Sequence, residues 1–334
     1  MNDASITATP PALQVSNLHI TIERAAAAPL TAVEGVSFRV GAGEVLAIVG
    51  ESGSGKSLTA MALPGLHQHP VRISHGSVRL EGVELIGQPE SALRRVRGSR
   101  IAIVLQDPLT ALNPVLRVET HLDETIRAHR AIDREAARSL AMAALARAGI
   151  PEPARRLRAW PHELSGGLRQ RVVIAMALVN EPAVIVADEA TTALDVTVQS
   201  EILREVERLA RGTRTAFVWI THDFSVVDRI ADTVCVMYAG QVVEQGPATE
   251  VLAHPAHPYT RALLECIPIR QQPGHRLHQI AGSPPLIGAW PAGCRFAPRC
   301  PRAVDVCRRD PPRLSTPDGM TDSHAVRCHD PVRA

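Results

Sequence analysis

The most constraining feature of the sequence is the stretch GESGSGKS at residues 50–57. The apolar run GEVLAIV (43–49) precedes it and indicates a buried strand, and SLTAMALPGL (57–66) follows it and indicates a helix. The stretch matches the phosphate-loop pattern G-x-x-x-x-G-K-[ST] in the strand-to-helix context that the pattern requires. Glycines let backbone N–H groups close around phosphate oxygens, and a helix N-terminus favours negative charge. The sequence therefore predicts an α/β fold with a nucleotide site at this turn.

Lys56 is the only lysine, and every other residue among the 36 Lys and Arg is arginine. A compact ammonium on a flexible stem differs from a planar guanidinium, so this position needs what arginine cannot supply. We predict that Lys56 reaches the β- and γ-phosphates and that the Ser57 hydroxyl coordinates Mg²⁺. The residues predicted to bind the nucleotide here are Gly50, Ser52, Gly53, Ser54, Gly55, Lys56, Ser57 and Leu58.

A second motif, AVIVADE (183–189), is an apolar strand that ends in two carboxylates. Asp188 is predicted to hold Mg²⁺ through water, and Glu189 to orient or deprotonate an attacking water. In a third motif, LSGGLRQR (164–171), Ser165 can cap a helix. The two glycines after the cap cost helix stability, so they suggest that the backbone approaches an anion closely. The phosphate loop already provides one anion-binding helix N-terminus, and a single nucleotide does not need a second one in the same chain.

The rest of the first 250 residues alternates strands with helices. Strands are predicted at 100–106, 183–188 and 215–223, and helices at 165–179 and 196–212. This alternation indicates a mostly parallel sheet covered on both faces, and 232–246 suggests an antiparallel hairpin that turns at Ala239-Gly240. Residues 107–165 are predicted to be a helical insertion. After about residue 250 the chain is rich in Pro, His, Arg and Cys, so we divide it into 1–250 and 251–334.

Taken in order, these motifs resemble the ATP-binding subunit of an ABC transporter over residues 15–250. The matching motifs are GESGSGKS, the strand-ending Gln106, LSGG, Asp188-Glu189, ALD (193–195) and THD with His222. The resemblance implies an ABC-type cassette in which two subunits pack head to tail. It also implies roles for individual residues: Ser165, Gly166 and Gly167 on the partner's ATP; Asp195 at the dimer seam; Glu189, His222 and Gln106 in catalysis; Ser57, Gln106 and Asp188 around Mg²⁺.

Three further stretches resemble the oligopeptide/dipeptide permease subfamily: QDPLTALNP (106–114), HPYTRALLECIP (257–268) and PAGCRFAPRCPRA (291–303). The resemblance implies an ATPase that couples ATP hydrolysis to peptide import. It also implies a second ABC ATPase subunit, expected to be a paralogue, two integral membrane permease subunits and an extracytoplasmic peptide-binding protein. The alternatives are a soluble metal-regulated ATPase and an importer subunit for nickel or another small solute.

Four of the six cysteines lie in the last 41 residues: Cys294, Cys300, Cys307 and Cys328. Four thiolates suit zinc or an iron–sulfur cluster. Structural zinc sites usually rely on close C-x₂-C pairs, which are missing here, whereas wide intervals let a loop wrap a bulky cluster. We therefore predict a [4Fe–4S] cluster, with Zn²⁺ or free thiols as alternatives. Four arginines are expected to offset its negative charge: Arg295, Arg299, Arg302 and Arg308.

Charge and hydropathy limit the remaining function classes. The net charge of +2 is too small to imply nucleic-acid binding by itself. The start, MNDASITATPP, shows no secretory signal, and VVIAMALV (172–179) is too short to span a membrane. We expect a peripheral protein on the cytoplasmic face of the cell membrane, held there by permease subunits. Five histidines are predicted to be solvated in loops: His67, His69, His75, His254 and His257.

Overall fold

Two β-sheets form the framework of the computed structural model, which describes residues 10–192, 194–267, 279–317 and 319–332. The strands are β1 (Leu13–Arg24), β2 (Ala27–Val40), β3 (Val45–Val49), β4 (Val71–Leu80), β5 (Val83–Glu84), β6 (Ile101–Val104), β7 (Val184–Asp188), β8 (Ala216–Thr221), β9 (Thr233–Tyr238), β10 (Gln241–Pro247) and β11 (Ala325–Val326). Three parts of the predictions lie outside the described residues: residues 1–9, where no secretory signal is expected, Ala193 of the ALD motif, and Pro268 of HPYTRALLECIP.

Helices cover both faces of the larger sheet. They are α1 (Lys56–Ala62), α2 (Glu90–Val96), α3 (Pro108–Ala111), α4 (Val118–Arg127), α5 (Arg134–Arg147), α6 (Pro153–Arg156), α7 (Gly166–Leu178), α8 (Val196–Gly212), α9 (Phe224–Ile230), α10 (Ala248–Ala253), α11 (Pro258–Glu265) and α12 (Asp305–Arg309). None of the helices in the described ranges is long and apolar enough to cross a bilayer.

The larger sheet has seven strands in the order β11-β10-β9-β3-β8-β7-β6. Strands β9, β3, β8, β7 and β6 run parallel, and β10 and β11 are antiparallel additions at one edge. Every residue of β3, β7 and β8 is buried, as expected for parallel strands with helices on both faces. The predicted hairpin at 232–246 is present as β9 and β10, with Ala239-Gly240 at its turn.

Two local expectations differ from the structure. Helix α1 ends at Ala62, not at residue 66, because Pro64 has no N–H to donate to a further helical turn. A four-stranded antiparallel sheet, ordered β2-β1-β4-β5, was not among the predicted strands. The pairing register of β1 and β2 shifts between Val15 and Leu18 and again further along. These irregularities interrupt the alternation of apolar and polar residues by which a strand is predicted from sequence.

Helices α3 to α6 lie between β6 and α7, where the helical insertion was predicted. Helices α4 and α5 pack together through buried side chains at helical spacing. These include Leu122 and Ile126 on α4 and Ala141 and Leu145 on α5. The short alanine side chains of α5 allow the two helices to approach closely.

The chain after residue 250 shares a hydrophobic core with the parallel sheet. Tyr238 of β9 packs on Tyr259 of α11 and on Phe296, with ring centroids 4.6 and 5.2 Å apart. Strand β11 extends the sheet by pairing with β10, so that Glu244 stands opposite Val326. The C-terminal residues therefore complete the edge of the sheet.

Glu244 is fully buried, and the hydrogen-bond donors to its carboxylate among the described residues all follow it in the chain. Its carboxylate accepts hydrogen bonds from the N–H groups of Ala256 (2.6 Å) and His257 (3.0 Å), and lies 2.7 Å from Nε2 of His324. The prediction of a solvated His257 is wrong, because this residue is 1% exposed and burial lowers its pKa to about 4. A neutral His257 ring accepts the N–H of Tyr259 at 3.0 Å and caps α11.

Candidate functional site

The predicted site residues collect at the carboxyl edge of the parallel strands. The phosphate loop follows β3, His222 follows β8, Glu189 follows β7 and Gln106 follows β6. These four strands are adjacent in the sheet, and the pairings Val49↔Thr221 and Asp188↔Ile220 bring their ends level. Ligands of open parallel sheets bind at this edge.

Two glycines of the phosphate loop are required by geometry. Gly50 has φ 153° and Gly55 has φ 101°, in the region that favours glycine. A Cβ atom at Gly50 would lie 2.1 Å from the carbonyl oxygen of Met237, and one at Gly55 would lie 3.0 Å from a methyl group of Val33. The loop conformation therefore depends on the absence of side chains at these positions.

Lys56 lies beneath the loop and is 5% exposed. Its Nζ donates to the carbonyl oxygens of Gly50 (2.8 Å) and Glu51 (2.9 Å). Burial lowers the pKa of the ammonium, and the nearby carboxylates of Glu189 and Asp188 oppose that shift. The structure thus holds a positive charge where the sequence predicts the phosphates.

Ser57 and Asp188 form the second part of the site. The Ser57 hydroxyl donates to Oδ1 of Asp188 at 3.2 Å, and Asp188 is 8% exposed. Burial raises the pKa of Asp188, whereas the Ser57 hydrogen bond lowers it. Hydroxyl and carboxylate oxygens are ligands that suit Mg²⁺, so this pair fits the predicted metal. Gln106 is exposed in the loop after β6, and among the described residues it makes no hydrogen bond to either of them.

Glu189 has an unusual backbone conformation for a glutamate, with φ 49°. Its N–H donates to the carbonyl oxygen of Ile220 at 3.0 Å, which holds the turn after β7. Its carboxylate lies 3.5 Å from Nδ1 of His222 and accepts from the Thr192 hydroxyl at 3.4 Å. Left-handed backbone at non-glycine residues is costly and collects at functional sites. The structure therefore brings the predicted catalytic pair Glu189 and His222 together.

The LSGG motif begins α7 on an exposed surface. Ser165 is the N-cap and accepts the N–H of Leu168 at 3.4 Å, as predicted. Asp195 caps α8 by accepting the N–H of Val198 at 2.9 Å. Of the described side chains and loops, only Leu194 comes within 4 Å of a Cβ placed at Gly166, at 3.8 Å. The two glycines of the signature thus lie near Leu194 and Val198, and no described atom of their own phosphate loop is among the atoms nearest to either Cβ position.

The four C-terminal cysteines line one small cavity of about 10 Å³. Burial raises the pKa of the thiols of Cys294 and Cys300, and raises that of Cys328 to about 12. Within the described ranges, however, no group of three or more His, Cys, Asp or Glu residues is placed to hold a metal ion. The room is about that of one water, so a cluster would have to push the thiols outward.

Three of the arginines predicted to offset a cluster's charge make ion pairs with carboxylates. Arg295 pairs with Glu34, Arg299 with Glu51 and Arg302 with Asp330. The pair between Arg299 and Glu51 reaches the phosphate loop itself. The N–H of Glu51 also donates to the hydroxyl of Tyr259 at 2.8 Å. No local sequence pattern indicated the two contacts of Glu51, because Tyr259 and Arg299 are more than 200 residues away from it in the chain.

Comparison with known proteins agrees with this geometry. A family model described as ABC transporter matches residues 33–192, and one described as oligopeptide/dipeptide transporter, C-terminal region, matches residues 243–307. The dipeptide transport ATP-binding protein DppD of Bacillus subtilis is 42% identical over 95% of this chain and 93% of its own length. The chain belongs to the ATP-binding proteins of ABC transporters.

Two other similar proteins extend the comparison. The oligopeptide transport ATP-binding protein OppD of Mycobacterium tuberculosis is 46% identical over 95% of this chain, which spans 51% of that relative. A solved dimeric ATP-binding cassette, MJ0796, in a post-hydrolysis state with ADP and phosphate, superposes with a TM-score of 0.63 at 28% identity. It covers 71% of this chain and 98% of its own. These findings confirm the predicted cassette fold and subfamily, and the roles of individual residues stay predictions.

Proposed function

We propose that this chain is the ATP-hydrolysing, energy-coupling subunit of a membrane ABC importer for oligopeptides or dipeptides. The observation that carries the proposal is the match of residues 243–307 to the C-terminal region of such transporters, on a chain with a complete phosphate loop. The names of its relatives support peptide as the transported substrate. The two alternatives, a soluble metal-regulated ATPase and a nickel or small-solute importer, have no such support.

The geometry suggests a role for each residue of the site. Lys56 and the loop N–H groups would bind the β- and γ-phosphates. Ser57 and Asp188 would hold Mg²⁺, with Gln106 approaching from its exposed loop, and the metal would neutralise phosphate charge. Glu189 would orient the attacking water or accept its proton, and His222, 3.5 Å from Glu189, would contact the γ-phosphate.

The division of the chain follows from the same assignment. Residues 1–250 would form the nucleotide-binding domain, with residues 107–165 as its inserted helical subdomain, and 251–334 would form the extension. Two cassettes would pair head to tail, so that the exposed Ser165 and Gly166, with the half-buried Gly167, close on the partner's ATP. Two permease subunits would hold the pair at the cytoplasmic face of the membrane, and an extracytoplasmic binding protein would deliver the peptide.

Fractionation tests the transporter assignment. From detergent extracts of native membranes, the tagged chain is expected to co-purify with integral membrane proteins and with a second ATPase subunit. Peptide supplied with its binding protein should then stimulate ATP hydrolysis in the reconstituted assembly. A chain that stays wholly in the membrane-free fraction would instead support the soluble regulator.

Gly166→Ala tests the shared site, because the chain itself leaves room for the added methyl group. We expect ATP binding at Lys56 of the same chain to be unchanged. Hydrolysis of the partner's ATP should fall by about a hundredfold, since a displacement of about 1 Å at a reacting group has that effect. Gly212→Ala is the matched control, because a Cβ there meets nothing within 4 Å at the far end of α8. Loss confined to the nucleotide on the mutated chain would contradict the head-to-tail arrangement.

We also propose that Cys294, Cys300, Cys307 and Cys328 hold a [4Fe–4S] cluster that orders the C-terminal segment. Their position around one cavity supports this proposal, and their wide spacing favours it over zinc. Anaerobically purified protein should be brown, with about four irons per chain. Cys300→Ser should bleach it, whereas the control Cys266→Ser, outside the four, should not. Colourless protein with one zinc per chain would replace the cluster by the zinc alternative, and metal-free protein would exclude both.

A further inference from the structure

Glu51 is held from outside the phosphate loop at two of its three polar groups. Its carboxylate forms two parallel hydrogen bonds with Arg299: Nη1 to Oε2 at 2.6 Å and Nη2 to Oε1 at 3.0 Å. Its N–H donates to the Tyr259 hydroxyl at 2.8 Å. Its carbonyl oxygen is bound within the loop, where it accepts from Nζ of Lys56 at 2.9 Å and from the N–H of Ser54 at 3.2 Å. The backbone that positions Lys56 is therefore fixed by residues of the C-terminal extension.

Arg299 is itself held rigidly, with a side chain only 4% exposed. Its Nε donates to the carbonyl oxygen of Ala281 at 2.9 Å, and Nη1 reaches the Tyr238 hydroxyl at 3.3 Å. The guanidinium carbon lies 5.7 and 5.9 Å from the ring centroids of Tyr238 and Phe296. A planar fork fixed on several sides loses little conformational freedom when it binds a carboxylate.

The charge of Glu51 matters because the loop has to accept a polyanion. Glu51 directly follows Gly50 in the loop, and its side chain is 27% exposed. An unpaired carboxylate there would repel the phosphates and would be free to turn toward Lys56. Paired with Arg299, it is neutralised and turned toward the C-terminal segment.

We propose that Arg299 is a positioning residue for ATP binding, through which the C-terminal extension holds Glu51 and the phosphate loop in the conformation that receives the triphosphate. This inference rests on the proposed nucleotide site. The inference does not require a cluster. Arg299 is the sequence neighbour of Cys300, however, so loss of order at Cys300 would also make Arg299 less well held.

The test uses the full chain and compares Arg299→Gln, Glu51→Gln and the double variant. Titration with Mg·ATP measures the Kd, and thermal unfolding without nucleotide measures stability. Arg299→Gln should weaken ATP binding by about tenfold to a hundredfold, because a charged hydrogen-bond partner is lost and a carboxylate is left facing the phosphates. The double variant should bind ATP more tightly than Arg299→Gln, since the uncompensated charge is gone. A purely structural role would lower the unfolding temperature of Arg299→Gln and leave the Kd of the folded protein unchanged.

Controls separate this inference from the proposed function. Arg261→Gln removes an exposed arginine of α11, 55% exposed and paired with Glu265, and should leave the Kd unchanged. If Arg299→Gln does not fold, Arg299→Lys retains the charge without the fork and should still weaken binding measurably. Parent protein that does not bind ATP would defeat the proposed function. If the parent protein binds ATP, two results would overturn the positioning role alone. One is an Arg299→Gln or Arg299→Lys variant with the parental Kd, and the other is a double variant that binds ATP no better than Arg299→Gln.

Discussion

Glu189→Gln is expected to leave ATP binding intact and to slow hydrolysis by about two to four orders of magnitude, the usual contribution of a positioned general base. The amide has nearly the shape of the carboxylate, so the turn after β7 and its N–H contact with Ile220 should persist. The amide cannot accept a proton from water, and its attraction to His222 is weaker. Bound but unhydrolysed ATP should then trap two cassettes in a closed dimer.

Single-turnover hydrolysis, the Kd for Mg·ATP and size-exclusion chromatography together measure this effect. Glu207→Gln serves as a control, since that glutamate pairs with Arg211 in the last two turns of α8. Hydrolysis by Glu189→Gln at the parental rate would remove the assigned role of Glu189. A loss of ATP affinity in this variant would point to a binding role instead.

Lys56→Ala should abolish tight binding of Mg·ATP, weakening it by at least about a hundredfold. The change removes the ammonium held below the loop. It also removes the two hydrogen bonds that this charged group donates to the loop carbonyls, each worth about 1.5–3 kcal/mol. It also leaves the carbonyl oxygens of Gly50 and Glu51 without this donor. Equilibrium titration with Mg·ATP provides the measurement, and thermal unfolding without nucleotide shows how far folding is affected.

Lys56→Arg is the sharper variant, because charge is conserved and shape is not. Lys56 is 5% exposed, and a planar guanidinium in its place cannot donate to Gly50 and Glu51 as a tetrahedral ammonium does. We expect most of the affinity to be lost. Full activity in Lys56→Arg would show that the solitary lysine of this arginine-rich chain is not a requirement of the site.

Local sequence patterns were enough to predict the strand ends that carry the chemistry, and the resemblance of the ordered motifs to a known family predicted the cassette. The phosphate loop with Lys56 follows β3, Asp188 ends β7 and Glu189 follows it, and parallel strands bring their carboxyl ends to one edge. The contacts between Ser57 and Asp188 and between Glu189 and His222 follow from that register. The pattern needed no knowledge of tertiary packing.

The missed features depend on contacts between distant parts of the chain. The composition change near residue 250 indicated a separate segment, yet Tyr259 and Phe296 pack on Tyr238 of the sheet. His257 lies in a Pro- and His-rich stretch typical of solvated loops, and only the fold shows that Glu244 needs its N–H. Arg299 was assigned to the cysteines beside it in sequence, whereas its carboxylate partner is Glu51.

Glu244 limits how freely the C-terminal extension could be exchanged between cassettes. A chain cut after residue 250 would retain the Glu244 carboxylate and lose Ala256, His257 and His324, which surround it in the whole chain. Glu244 would then have neither these hydrogen bonds nor the neighbours that bury it, and their contribution to folding would be lost. Grafting the extension onto an unrelated cassette would conversely require that the recipient already have acidic residues equivalent to Glu244 and Glu51. The two parts of this chain are therefore a matched pair that recombination would have to move together.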